Sequence, residues 1–261
     1  MLAKNSSLQL LGTFCLLYHA TPIPLSQPRL EELIALLAIH AGAPLDRGQV
    51  AAHFWPDSTE GQARTNTRNL LYKLKEAWPD VEQVIAIERN RITWREDSGI
   101  ELDIKRFAEL QALAEQSQST EQRVSWLAEA IELYRGDFLP SGYSDWALLQ
   151  REEWRGRYSE VLEALVDGLV ALRRLDEALA WAKQLRSHDP LQESTYRRLM
   201  RIYAGLGDRA SALRVYHNCA TLLEQELGVE PSPATVEFYA RLSRQDGAKQ
   251  LAADTAAEEG A

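Results

Sequence analysis

The chain has 261 residues, a formal net charge of −9, and 45% hydrophobic against 26% charged residues. That length holds one or two domains with cores of their own, and that balance belongs to a water-soluble globular chain. Its two cysteines, Cys15 and Cys219, stand in no metal-ligand spacing, which excludes a zinc module or a disulfide framework and points to a reducing cytoplasm. No apolar run reaches the ~18 residues a membrane-spanning helix needs, and "LQLLGTFCLLYHA" lacks the cationic start and small-residue cleavage site of a leader. The acidity is unevenly placed. Residues after 98 hold 19 of the 29 basic and 27 of the 38 acidic side chains, a net of −8, which leaves −1 for the first 98. An N-terminal part so close to neutral is compatible with a polyanionic partner.

Taken in chain order, residues 8–18 and 23–25 read as strands rich in Leu, Phe and Tyr, with Pro22 and Pro24 at the turn. Ser26 and Pro28 open a helix whose Leu30, Leu33, Ile34, Leu37 and Ala38 share one face, and Gly42 ends it. A second helix starts on Asp46 as its N-cap and stops before Pro56. Asp57 or Ser58 caps a third, which runs to Pro79. The β-branched runs of "VIAIERNRITWRE" flank Arg89-Asn90-Arg91 and predict a hairpin. Strands, three helices and a hairpin are the element order of a winged helix-turn-helix, over residues 1–98.

The third helix carries the chemistry. Between Ala63 and Lys75 the sequence has four cations and no acid. Helical spacing buries Ala63, Thr67, Leu70, Leu71 and Leu74 and leaves Arg64, Arg68 and Tyr72 on the outer face, with Thr65, Asn69, Lys73 and Lys75 beside them. Arg and Lys neutralise phosphate or read guanine, Asn pairs with adenine, and a Thr methyl meets thymine, so this face suits a DNA groove. Arg89, Asn90 and Arg91 would be the wing on the adjacent backbone. The bland alternative is a solvated basic face; the element order and the basic hairpin tip favour DNA. Trp55 and Trp78 read as core plugs at helix ends.

From residue 99 the sequence is almost wholly helical and repeats itself. "LRRLDEALAWAKQL" from Leu172 aligns with "LGDRASALRVYHNC" from Leu206, placing Ala178 over Ala212 and Leu179 over Leu213 at a spacing of 34 residues. That is the tetratricopeptide period, with a small residue where paired helices approach closely. An earlier, more degenerate pair spans roughly 121–170. Residues 99–245 thus form an all-α repeat domain, and 246–261 read as a polar tail or linker. The fold class expected is mainly α, an α+β winged helix followed by helical repeats.

The segments "LIALLAIHAGAPLDRGQVAAHFWPD", "ARTNTRNLLYKLK", "LYRGDFLP" and, most specifically, "LEQELGVEPSP" resemble those of the SARP-type antibiotic-regulator family, an OmpR-type winged helix joined to a bacterial transcriptional activator domain. The resemblance covers most of residues 7–245. It implies transcriptional activation on double-stranded DNA, a homodimer on repeated sites, and contact with RNA polymerase, with no cofactor. Two departures stand out: Thr67, where a large apolar residue is common, and Glu76 at the basic end of the third helix. Many such relatives continue into a nucleotide-binding module, and no G-x-x-x-x-G-K-[ST] occurs here, so the chain is a short member or the front of a longer one.

An enzyme finds no support. The five histidines form neither H-x-x-x-H nor H-E-x-x-H, "GYSDW" lacks the second glycine of a nucleophile elbow, and Glu31-Glu32 and Glu152-Glu153 sit on helices where at least one member faces solvent. The other rival is a tetratricopeptide interaction module whose winged helix serves a protein interface; four retained cations on residues 64–75 weigh against it. The aromatic set Trp126, Tyr134, Trp146, Trp154 and Trp181 reads as packing rather than a ligand cage.

Overall fold

The first long apolar run breaks into two strands because Gly12 takes a φ of +115°, a value that favours glycine. In this computed structural model, which describes residues 6–25 and 27–244, β1 (Ser7–Gln9) pairs antiparallel with β2 (Cys15–Tyr18), Leu8 facing Leu16. β2 turns through His19 and Ala20, both at positive φ, into β3 (Thr21–Pro22). Residues 23–25, expected as a strand, are irregular; the tight turn has already used Thr21 and Pro22 as the partner strand. The cap expected at Ser26 and the tail at 246–261 lie outside the described residues.

Helix α1 (Pro28–Ile39) begins with Pro at its first turn and buries Leu30, Leu33, Ile34, Leu37 and Ala38, the predicted face. Each fully buried Leu or Ile contributes ~1.5–3 kcal/mol, so this one face is a main support of the core. β4 (Leu45–Asp46) leads directly into α2 (Arg47–Phe54), and α3 (Glu60–Ala77) follows. After α4 (Val81–Val84), β5 (Ile85–Ile87) and β6 (Arg91–Trp94) form the hairpin, and β4 joins it in a sheet of order β4-β6-β5. β7 (Glu101–Leu102) returns to pair in parallel with β1, completing the order β3-β2-β1-β7.

Packing does not stop at residue 98. One compact unit takes in residues up to 112 together with 129–158. Asp103, the first residue of α5 (Asp103–Gln116), accepts the backbone N–H groups of Leu10 and Leu11 on Oδ2, each at 2.8 Å. Further on, Leu139 N–H donates to Leu10 O, Arg135 N–H to Leu11 O, and Gly12 N–H to Asp137 O. Glu32, a helical acid that is only 3% exposed, accepts the N–H groups of Tyr143 and Ser144 at 2.9 and 3.1 Å and an Arg29 guanidinium N–H at 3.2 Å. Arg151 then gathers the carbonyl oxygens of Phe138, Leu139 and Gly142 at 3.1, 2.8 and 2.9 Å.

Burial lifts the Asp103 carboxyl above the usual aspartate range, against the backbone N–H bonds of Leu11, Leu10 and Ile104. The folded chain therefore holds that proton more tightly than the unfolded one, so this group favours folding most in acid. Its contribution declines as pH rises through the raised value. Asp103→Ala, which strips the partners from two backbone N–H groups at positions 0% exposed, is expected to cost about 3 kcal/mol. Asp103→Asn should cost less and remove this group's share of the pH dependence; denaturant unfolding from about pH 4 to about pH 7 measures both.

The second unit comprises residues 113–128 and those from 159 onward. It includes α8 (Leu175–His188), α9 (Glu193–Gly205), α10 (Arg209–Leu227) and a last helical stretch over 233–244. Among the described residues, the remaining helices are α6 (Thr120–Leu133) and the long α7 (Asp145–Ala171). The 34-residue period is written in the backbone as well as in Ala178 and Ala212, both 0% exposed. Arg173 and Gly207 sit at φ 60° and 78°, and each ends a helix by the same bonds: Arg174 N–H to Leu169 O, and Asp208 N–H to Tyr203 O. Among the described residues, no helix is long and apolar enough to cross a membrane.

Candidate nucleic-acid interface

Thr59 caps α3 by accepting the Gln62 N–H at 3.4 Å, a role expected for Asp57 or Ser58; all three residues have a cap-competent side chain, and Thr59 is the one adjacent to the first helical residue. Ala63, Thr67, Leu70, Leu71 and Leu74 are its buried residues, the set predicted from spacing. Thr67, the polar member, donates its hydroxyl to Ala63 O at 2.9 Å within the same helix, so its one donor is satisfied without a distant partner. Thr67→Val is thus expected to change stability by no more than about 1 kcal/mol, read from denaturant midpoints.

The opposite face is open. Arg64, Arg68, Asn69, Tyr72, Lys73 and Lys75 are exposed and Thr65 is half-buried. Arg64, Arg68, Arg89 and Asn90 line a single cleft of about 410 Å³ between α3 and the hairpin tip, with Thr67 at its base. Arg47, the first residue of α2, completes the lining; sequence reasoning did not single it out, because its partners lie more than 40 residues away. Asp46 is the one carboxylate in that lining, and its Oδ1 already accepts the Gly48 and Gln49 N–H groups at 2.7 and 3.3 Å as the α2 cap.

The remaining expected residues are placed elsewhere on the surface. Lys73 donates to Gln27 Oε1 at 3.2 Å, and Lys75 is ion-paired with Glu82 of α4. The Tyr72 phenol is held above its usual pKa by a hydrogen bond to Glu76 and by that carboxylate's charge. Thr65 donates to Gly61 O at 2.9 Å, and the exposed Arg91 starts β6 opposite Asp46. Arg64 meets Glu60 at 2.5 Å, but the two side chains are 67% and 79% exposed. A pair that open contributes ~0–1 kcal/mol, so a phosphate can displace the carboxylate. The guanidiniums of Arg64, Arg68 and Arg89 around one cleft, with a single carboxylate already engaged, make a seat for an anion.

The family model of the bacterial transcriptional activator domain matches residues 102–243, more than half of the chain. The chain belongs to this family. Its relatives place this activator-domain protein among the SARP-type regulators. It is 27% identical over 236 residues to the regulatory protein AfsR of Streptomyces coelicolor, covering 88% of this chain but 23% of AfsR. To the transcriptional regulatory protein MoaR1 of Mycobacterium tuberculosis it is 22% identical over 248 residues, 90% of this chain and 78% of MoaR1. These relatives are named as regulatory proteins rather than enzymes. The fold is that of Mycobacterium tuberculosis EmbR, solved in complex with a low-affinity phosphopeptide: TM-score 0.77 at 22% identity, over 98% of this chain and 71% of that one.

Proposed function

We propose that this activator-domain protein is a sequence-specific DNA-binding transcriptional activator. Residues 1–98 act as a winged helix whose α3 lies in the major groove, and 99–245 act as a tetratricopeptide-like effector domain. The observation that carries the reading is the cleft shared by Arg47, Arg64, Arg68 and Arg89 in a chain of net charge −9. Arg64 and Arg68 take phosphate and groove contacts, and Thr65, Asn69 and Tyr72 add base or sugar contacts. Lys73 and Lys75 extend the cationic track once their Gln27 and Glu82 partners are displaced. Arg89, Asn90 and Arg91 hold the flanking backbone.

The family supports dimeric binding to repeated half-sites, contact with RNA polymerase through the helical repeats, and action in the cytoplasm. The experiment is selection from a random duplex library by the full chain at low salt. A recovered motif of repeated half-sites is the expected result. Recovery of no motif, with no retention of duplex DNA, rejects the reading and turns attention to the repeat domain as a protein-binding module.

A further inference from the structure

The two walls of the basic cleft come from parts of the chain far apart in sequence, and something must set the distance between them. The hairpin tip does little to fix itself. Its base is closed by the Glu88 N–H to Arg91 O bond at 2.9 Å, while Arg89 and Asn90 are both exposed. Two-residue hairpin loops are most stable in the primed turns, which need positive φ; neither Arg89 nor Asn90 adopts it. The tip therefore lacks the turn geometry that would lock its orientation from within.

Arg47 supplies the missing restraint. Its backbone N–H donates to Asn90 O at 2.8 Å, and its Nη1 donates to the carbonyl oxygens of Glu88 and Arg89 at 3.3 and 3.4 Å. Three successive carbonyls of the tip thus end on one residue. That residue is itself firmly placed: β4 pairs with β6 through Leu45–Ile92 and Asp46–Arg91, and α2 begins at once on the Asp46 cap. The Asp46 carboxylate accepts the Gly48 and Gln49 N–H groups at 2.7 and 3.3 Å, which fixes the first turn of α2 on either side of the Arg47 backbone. The rest of α2, whose buried residues are Val50, Ala51 and Phe54, packs on α3, which ties Arg47 to the recognition helix.

We infer that Arg47 is a positioning residue, a guanidinium strap that holds the hairpin tip at a set distance from α3. Arg89 on one wall and Arg64 and Arg68 on the other then meet the DNA backbone at a fixed separation. The inference rests on the DNA-binding reading, and it adds a residue whose part is to pre-organise the cleft rather than to contribute one more charge to it.

The test uses the full chain, Arg47→Ala and Arg47→Gln, and the duplex selected by the wild type. Amide exchange at Glu88 is measured without DNA, and affinity is measured across a series of salt concentrations. Arg47→Ala is expected to speed Glu88 exchange about tenfold, by freeing the tip for local opening. Its affinity should fall about tenfold while the salt slope moves by less than about half a unit, since no phosphate contact is lost. Arg47→Gln, whose side-chain amide can still donate to a tip carbonyl, should recover most of both. Unchanged Glu88 exchange in Arg47→Ala overturns the proposal. So does an equal affinity loss in both variants with the slope reduced by ~1, which would make Arg47 a phosphate ligand. A wild type that binds no duplex at low salt rejects the DNA-binding reading instead, and the exchange data still report on the strap.

Discussion

Replacing Arg64 and Arg68 together by alanine is expected to weaken DNA binding about 100-fold at low salt while leaving the fold intact. Both side chains are exposed and both line the cleft. Among the described residues, the one ion pair that either makes is the open contact between Arg64 and Glu60, so stability should stay within about 0.5 kcal/mol of wild type. On DNA the loss is of a different size. Two phosphate-neutralising cations account for a change of ~2 in the salt slope, and charge-assisted contacts of this kind make a loss of about 100-fold in affinity at low salt the expected result. Lys75→Ala serves as the contrast: that ammonium is tied to Glu82 and lies outside the cleft, so its removal should cost much less. Fluorescence anisotropy of a labelled selected duplex, titrated at several salt concentrations, separates the two variants from each other and from the wild type. Equal, small losses for both would mean that the outer face of α3 is an ordinary solvated surface.

A chain ending at residue 98 is expected to lose the native N-terminal structure altogether. Such a chain lacks β7, which pairs with the edge of β1, and Asp103, which receives the Leu10 and Leu11 N–H groups. It also lacks the segment that covers Leu10 and Leu11, both 0% exposed, and the backbone that satisfies the Glu32 carboxylate. Each buried polar group left unpaired costs ~1–3 kcal/mol, and apolar side chains returned to water cost ~1.5–3 kcal/mol apiece. A handful of such terms reaches the ~5–15 kcal/mol that holds a whole domain. The checking measurement is near-UV circular dichroism with denaturant unfolding, comparing residues 1–98 with the full chain. The expected outcome is no cooperative transition for the fragment; a sharp one, with native-like amide dispersion by NMR, would show that residues 1–98 fold without 103–158.

How far these features could be read from the sequence depends on how local their causes are. The two faces of α3 follow from spacing alone, since residues three and four apart share a face, and Ala63, Thr67, Leu70, Leu71 and Leu74 are buried as that rule requires. The repeat at Ala178 and Ala212 is likewise local, and the helix-ending turns at Arg173 and Gly207 repeat with the same period. Boundaries were harder. "PDSTE" offers three side chains able to cap a helix, and only the path of the chain selects Thr59. The turn at His19-Ala20 has positive φ without the Gly or Asn that would advertise it, so the partner strand appeared two residues too late.

Long-range roles left no trace at all. Glu32 looks like any helical acid, yet the two backbone N–H groups it accepts are 111 and 112 residues further along the chain. Arg47 beside the Asp46 cap gives no hint that it reaches the hairpin tip. Thr67, the apparent departure from an apolar pattern, is accounted for by one bond to its own helix, which the sequence permits but does not require.

The proposed DNA-binding surface is the basic cleft between α3 and the hairpin tip. Arginine footprinting tests it most directly: the full chain is treated with an arginine-specific dicarbonyl, with and without the selected duplex, and modification is read at each site by mass spectrometry. The duplex is expected to protect Arg64, Arg68 and Arg89, while Arg157 and Arg174, placed in the helical part of the chain and paired with Glu153 and Glu177, react as before. Undiminished reaction at Arg64, Arg68 and Arg89 under saturating duplex, with protection confined to arginines of the repeat domain, would contradict it.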